Sequence, residues 1–175
     1  MSRRRTIAFS LVEVVIAVGV FATTVAVVLA LIPALTRQAV SSADALVAQQ
    51  LPDHLRAELA RLADGRFTAF ATSLPEMAAP LADGMRFVAN RDGSRLHSVS
   101  APAAGAALAA ADQYFLVECW RFPSGPLRFD AATTFVATYA RVSWPYQTGT
   151  SGSSVALVTP LADRSQLTFT AAINQ

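Results

Sequence analysis

The apolar and polar positions of the chain fall into three successive patterns. From Val14 to Leu35 there are 22 residues without a charge, interrupted only by Gly19, Thr23, Thr24 and Pro33. A helix of that length reaches roughly 33 Å, enough to cross a bilayer core of about 30 Å. Beyond it, Val40, Ala43, Val47, Leu51, Leu55, Leu59 and Leu62 recur at three- and four-residue steps. This is the pattern of an amphipathic helix with one buried face, and Gly65 is its natural stop. The two stretches together predict one helix from Phe9 of about 55 residues, apolar all round at first and one-sided later. Pro33 and Pro52 each delete a backbone hydrogen bond, so a kink, or a restart at Pro52, is expected.

After Gly65 the period changes. "GRFTAFATSLPEMAAPLADG", broken by Pro75, Pro80 and Gly84, reads as a connecting loop with short turns. Met85 to Ser100 holds two short strand-like runs around Asn90-Arg91-Asp92-Gly93, a hairpin signal. Ser100 to Ala111 is rich in Ala, Pro and Gly, and is either a flexible loop or a short helix near Ala106 to Ala111. Alternation then marks strands at Tyr114 to Phe122, Thr133 to Trp144 and Gln166 to Ile173, with a weaker one at Val155 to Thr159. Turns are expected at Pro123 to Pro126 and Pro145 to Ser154. The fold class predicted is α+β: a long N-terminal helix, its first half transmembrane, packed through its second half on a C-terminal antiparallel β-sheet.

Charge adds direction. All 14 basic residues are arginine, and Arg3, Arg4 and Arg5 exceed the whole net charge of +2. The rest of the chain carries slightly more acid than base, so no nucleic-acid partner is indicated. Basic residues before the apolar run place the N-terminus in the cytoplasm and the chain after residue 36 outside it. Ala43-Asp44-Ala45 offers a small-x-small signal-peptidase site, but the apolar run is longer than a secretory h-region, so removal there is not expected.

Glu13 is the anomaly. A carboxylate in hydrocarbon costs about 2.5 to 3.5 kcal/mol at a helix centre, and less near an end, so it needs a partner. Phe9 lies four residues earlier, on nearly the same helical face. A free α-amine on Phe9 would face Glu13, in its own chain or a neighbour's.

The run "AFSLVEVVIAVGVF" after Arg3-Arg4-Arg5 resembles the class III leader of type IV pilins and type II secretion pseudopilins. The resemblance implies cleavage by prepilin peptidase between Ala8 and Phe9, N-methylation of Phe9, and an assembly role for Glu13. Ala8 stands where the family usually has glycine. The late run "YARVSWPY" is similar to a strand of some minor pilins and pseudopilins, and the whole chain resembles the pilin-like cassette proteins of Verrucomicrobia. The domains implied are a leader at 1–8, a transmembrane half-helix at 9–35, an amphipathic half-helix at 36–64 and an exported β-rich domain at 65–175.

The implied function is that of a structural subunit of a type II secretion pseudopilus or type IV pilus. It would be held in the inner membrane as a single-pass precursor with its C-terminal domain in the periplasm. Implied partners are prepilin peptidase, other pilin-like subunits, the inner-membrane assembly platform and membrane lipid. The competing expectation is a permanently anchored bitopic protein whose β domain binds a periplasmic ligand.

Little points to catalysis. Without lysine there is no P-loop or Schiff-base lysine, and "TGTSGSS" lacks nucleophile-elbow spacing. His54 and His97 have no closely spaced companions for zinc, and the loop between Trp144 and Gln166 has only Asp163 for calcium. No enzyme, metal or cofactor is expected. Cys119 reads as a buried thiol or, less simply, a reactive one; Trp120 and Trp144 read as core or as partner anchors. Ala22, Ala26, Ala30 and Ala34 are spaced for close helix packing, although with 35 alanines in 175 residues chance accounts for the row equally well.

Overall fold

The computed structural model describes residues 10–105, 107–132, 134–149 and 156–175. The chain divides into two compact units between Ala43 and Asp44. Helix α1, Leu11–Ala63, runs unbroken through both prolines. The expected restart at Pro52 does not occur. The neighbouring Leu51 and Leu55 are fully buried, and their packing holds the turn from which proline removes one hydrogen bond.

In the first unit, the large apolar side chains from Leu11 to Val40 are exposed on all sides of the helix, with Leu11 80% and Phe21 70% accessible. In the second unit, α1 buries Asp44, Ala48, Leu51, Leu55, Glu58, Leu59, Leu62 and Ala63. The amphipathic face therefore begins later than the periodicity suggested, because Val40 and Ala43 are exposed. Gly65, at φ +65°, turns the chain out of α1.

The segment after Gly65 corrects the sequence reading of a plain loop. Phe67–Ser73 forms a short helix, α2, that buries Phe67, Phe70 and Ala71. Phe67, Phe70, Ala71 and Leu74 are spaced three, one and three apart, a one-face helical signal hidden among the later prolines.

Five strands make the main sheet: β1 Met85–Ala89, β2 Leu96–Ser98, β3 Phe115–Arg121, β4 Phe135–Trp144 and, last in the chain, Ser165–Asn174. Between the last two come a short pair, β5 Gln147–Gly149 and β6 Ala156–Val158, so the final strand is β7. The order β2-β1-β3-β4-β7 is antiparallel throughout, as the predicted antiparallel sheet requires, but β2 and β3 flank β1, so the connection between them crosses over it and the sheet is not a simple meander. β5 corrects the reading of Pro145 to Ser154 as a turn alone: Gln147–Gly149 pairs with β6 in a separate ribbon. Among the described residues of the Ala-rich stretch and its end, one 3-10 turn forms, Ala110–Asp112.

The hairpin between β1 and β2 turns where predicted. Gly93 has φ +72°, and a Cβ there would lie 2.7 Å from Val47 Cγ1, so this position requires glycine twice over.

The core lies between α1, α2 and one face of the sheet. Leu51, Leu55 and Leu59 meet Phe87, Phe115, Val117, Val136, Ala140, Val142 and Trp144. β3 is covered on its other face too, which is why its burial does not alternate. Val88 and Leu116 pack under Leu108, and Trp120 donates its indole N–H to Ala82 O at 2.9 Å. Both tryptophans are core residues.

Candidate functional site

The candidate site is the apolar N-terminal half of α1 with its single acid. Ala8 and Phe9, the predicted cleavage and methylation positions, lie outside the described residues. Glu13 lies in the first turn of α1, whose first ladder bond runs from Val14 N–H to Ser10 O at 3.2 Å. Its side chain is exposed and, among the described residues, has no hydrogen-bond or ion-pair partner. Glu13 is also the only charged residue from Ser10 to Thr36.

The three threonines of this half bond back to the helix's own carbonyls. Thr23 and Thr24 both donate their hydroxyls to Val20 O, at 2.9 and 2.8 Å, and Thr36 donates to Ile32 O at 2.9 Å. Such back-bonding lets a threonine enter an apolar medium without an orphaned donor. From Leu11 to Thr36, Glu13 is the one polar side chain without such a bond among the described residues. The helix is long and apolar enough to cross a membrane. Its surface is apolar on every side, which fits either lipid or a sheath of other helices.

The second unit holds three carboxylates that are buried and paired. Asp44 accepts Tyr114 Oη–H at 2.6 Å and Arg91 Nε–H at 3.2 Å, and so joins the start of the buried helical face to the hairpin turn and to β3. Burial, then the hydrogen bond to Asp44 and its charge, push the Tyr114 phenol up to about 12. Glu58 accepts two bonds from Arg61, at 2.7 and 2.8 Å, and the Ser98 N–H at 3.0 Å. Burial alone would raise the Glu58 carboxyl, but the Arg61 and Ser98 hydrogen bonds together with nearby positive charge outweigh it and hold it below the usual range. Glu118 and Arg141, directly opposite on β3 and β4, meet at 2.6 Å, and Arg141 lies over the Trp120 ring at 5.2 Å.

These three acids were not singled out by sequence reasoning, although a signal existed. Asp44, Leu51 and Glu58 are seven residues apart, two turns of helix, so both acids sit in the same stripe as the core leucines. An acid in an apolar stripe requires a partner from elsewhere in the fold.

Each carboxylate is tied to an arginine; Asp44 and Glu58 lie on α1 and Glu118 on β3. Cys119 is fully buried on the helix side of β3, and burial raises its thiol further from ionisation. His54 is exposed on α1. His97 is buried, with Nδ1 2.9 Å from Ser98 O and Nε2 accepting the Leu108 N–H at 2.9 Å; the ring therefore pins the Ala-rich loop to β2. Among the described residues no three His, Cys, Asp or Glu side chains are grouped as a metal site.

Comparison of the chain with protein-family models, with curated proteins and with solved structures gives no match.

Proposed function

We propose that the chain is a pilin-like structural subunit, made as a single-pass precursor in the inner membrane, cut between Ala8 and Phe9 by prepilin peptidase and assembled into a pseudopilus or type IV pilus. The observation that supports this reading is Glu13: one acid, without a partner among the described residues, in the first turn of a half-helix whose other side chains as far as Leu35 are uncharged and exposed on all sides. The cut would create an ammonium on Phe9, four residues away or about 6 Å along the axis. In a stack of subunits, Glu13 of one chain meets the methylated amine of another, removing a buried charge from each and fixing the axial step. The helix that holds the precursor in lipid then packs among like helices in the filament, with the assembly platform supplying the work of extraction.

The test has two parts. Mass spectrometry of the protein from a cell containing the peptidase is expected to find a chain beginning at N-methyl-Phe9. A chain retaining Arg3 to Arg5 there would overturn the reading in favour of a permanent bitopic anchor. Glu13→Ala is expected to insert in the membrane normally and to fail in filament incorporation; incorporation at the parental level would remove the role assigned to Glu13.

A further inference from the structure

The two edges of the main sheet are built differently. β2 is three residues long, and of its two outward N–H groups, those of Leu96 and Ser98, the latter is taken by Glu58 Oε1 at 3.0 Å. That edge is short and partly plugged. β7 is ten residues long, pairs with β4 at every position from Ser165 to Asn174, and contains no charge, proline or glycine.

The direction of its free groups follows from the pairing. Gln175 N–H donates to Thr134 O at 2.7 Å, and Ala171 O accepts the Thr138 hydroxyl at 3.1 Å, so the odd-numbered residues turn their backbone groups toward β4. In an antiparallel ladder the alternate residues then face outward. Gln166, Thr168, Thr170, Ala172 and Asn174 thus present N–H and C=O groups at intervals of about 6.8 Å. Among the described residues no other backbone group pairs with them.

We propose that the outer edge of β7 binds an extended, uncharged segment of another protein by strand addition. Only a second extended backbone supplies donors and acceptors at that alternating spacing. The chemistry of the guest strand is set by the flanks of the edge. On the helix side Leu167 and Phe169 are only partly covered, and they call for apolar residues; on the other side Gln166, Thr168 and Thr170 are exposed and call for Thr, Ser or Asn. A charge in the guest would meet no opposite charge along these ten residues.

The test uses the full chain in detergent micelles and, as probe, a fluorescein-labelled peptide of alternating Thr and Val with two terminal lysines for solubility. Saturable binding is expected, together with slowed amide exchange at Thr168, Thr170 and Ala172 and no change at Phe169 or Ala171. Thr170→Pro removes an outward N–H while leaving the β4 ladder intact, and is expected to weaken binding by at least about tenfold. Thr170→Val, which keeps the N–H, is expected to bind like the parent. The melting temperature of each variant checks that it is folded. Unaltered binding by a folded Thr170→Pro, or no protection of the outward amides by the peptide, overturns the proposal. Outward amides already protected without peptide, increasingly so at higher protein concentration, would mean that a second copy takes the edge, which also overturns it.

Discussion

The two halves of α1 share one backbone and differ in what surrounds them. From Leu11 to Ala43 no described side chain is buried; from Asp44 to Ala63 the side chains on one face are buried under the sheet. Helix formation does not separate them, since both are rich in Ala and Leu and both are helical. The difference lies in charge placement. The first half has one acid and then no charge until Arg37, whereas the second carries Asp53, Arg56 and Arg61 on its outer side. A helix that marks an outer face with charge needs one protein partner for the inner face. A helix without such a mark is suited to apolar surroundings on every side.

The sharpest way to break this comparison is a matched pair of truncations. Leu55 is 0% accessible and Leu29 is 59% accessible. Leu55→Ala leaves a cavity against the sheet and is expected to cost about 2 to 5 kcal/mol. Leu29→Ala is expected to leave the same unfolding transition within about 0.5 kcal/mol. Urea unfolding of the full chain in micelles, followed by fluorescence of the two core tryptophans, measures both. A Leu29→Ala loss as large as that of Leu55→Ala would show that the first half is part of the cooperative fold.

A smaller effect tests where the one-sided half begins. Asp44 is the first buried residue of α1, and its carboxylate serves both Tyr114 and Arg91. Asp44→Ala leaves a partly buried phenol without its acceptor and is expected to cost about 1.5 to 3 kcal/mol, because the bond lost is to a charged group. Ser41→Ala, one turn earlier and exposed, is expected to change nothing measurable. Equal stability of Asp44→Ala and its parent would move the start of the packed face further along, toward Ala48.

The same contrast governs what the sequence disclosed. The long helix, its stop at Gly65, the hairpin at Asn90 to Gly93 and the three long strands were legible because each rests on periodicity or turn chemistry within a few residues. α2 and β5 were not, since Phe67, Phe70 and Ala71 form barely two turns beside a proline-rich run, and Gln147–Gly149 lies in a stretch whose proline and two glycines speak for a turn. The late onset of burial in α1 was also hidden: Val40 and Ala43 continue the apolar stripe, and only the length of the sheet decides how much of it is covered. In the candidate site, Glu13 stood out as a charge in an uncharged run. The ties of Asp44 and Glu118 depend on arginines and a tyrosine 23 to 70 positions away, which no local pattern names; Glu58 pairs locally with Arg61, and only its bond to the Ser98 N–H, 40 positions on, was hidden.

The smallest effect is a slope at high pH. The Tyr114 phenol is pushed up to about 12 by burial and by Asp44. A phenol raised above its unfolded value of about 10 contributes stability that is complete below pH 10 and is lost as pH climbs from 10 toward 12. Cys119, raised by burial, adds a loss of the same sign that starts lower, near the ordinary thiol value of about 8.5. No lysine is present to titrate in this range. Tyr114→Phe is therefore expected to run parallel to the parent up to about pH 10 and to lose less stability above it, while the earlier slope persists in both. Urea midpoints between about pH 8 and 11.5 separate the two limbs. Parallel curves over the whole interval would show that the phenol gains nothing from Asp44 in the fold, and would remove the tie on which the packed half of the helix is argued to begin.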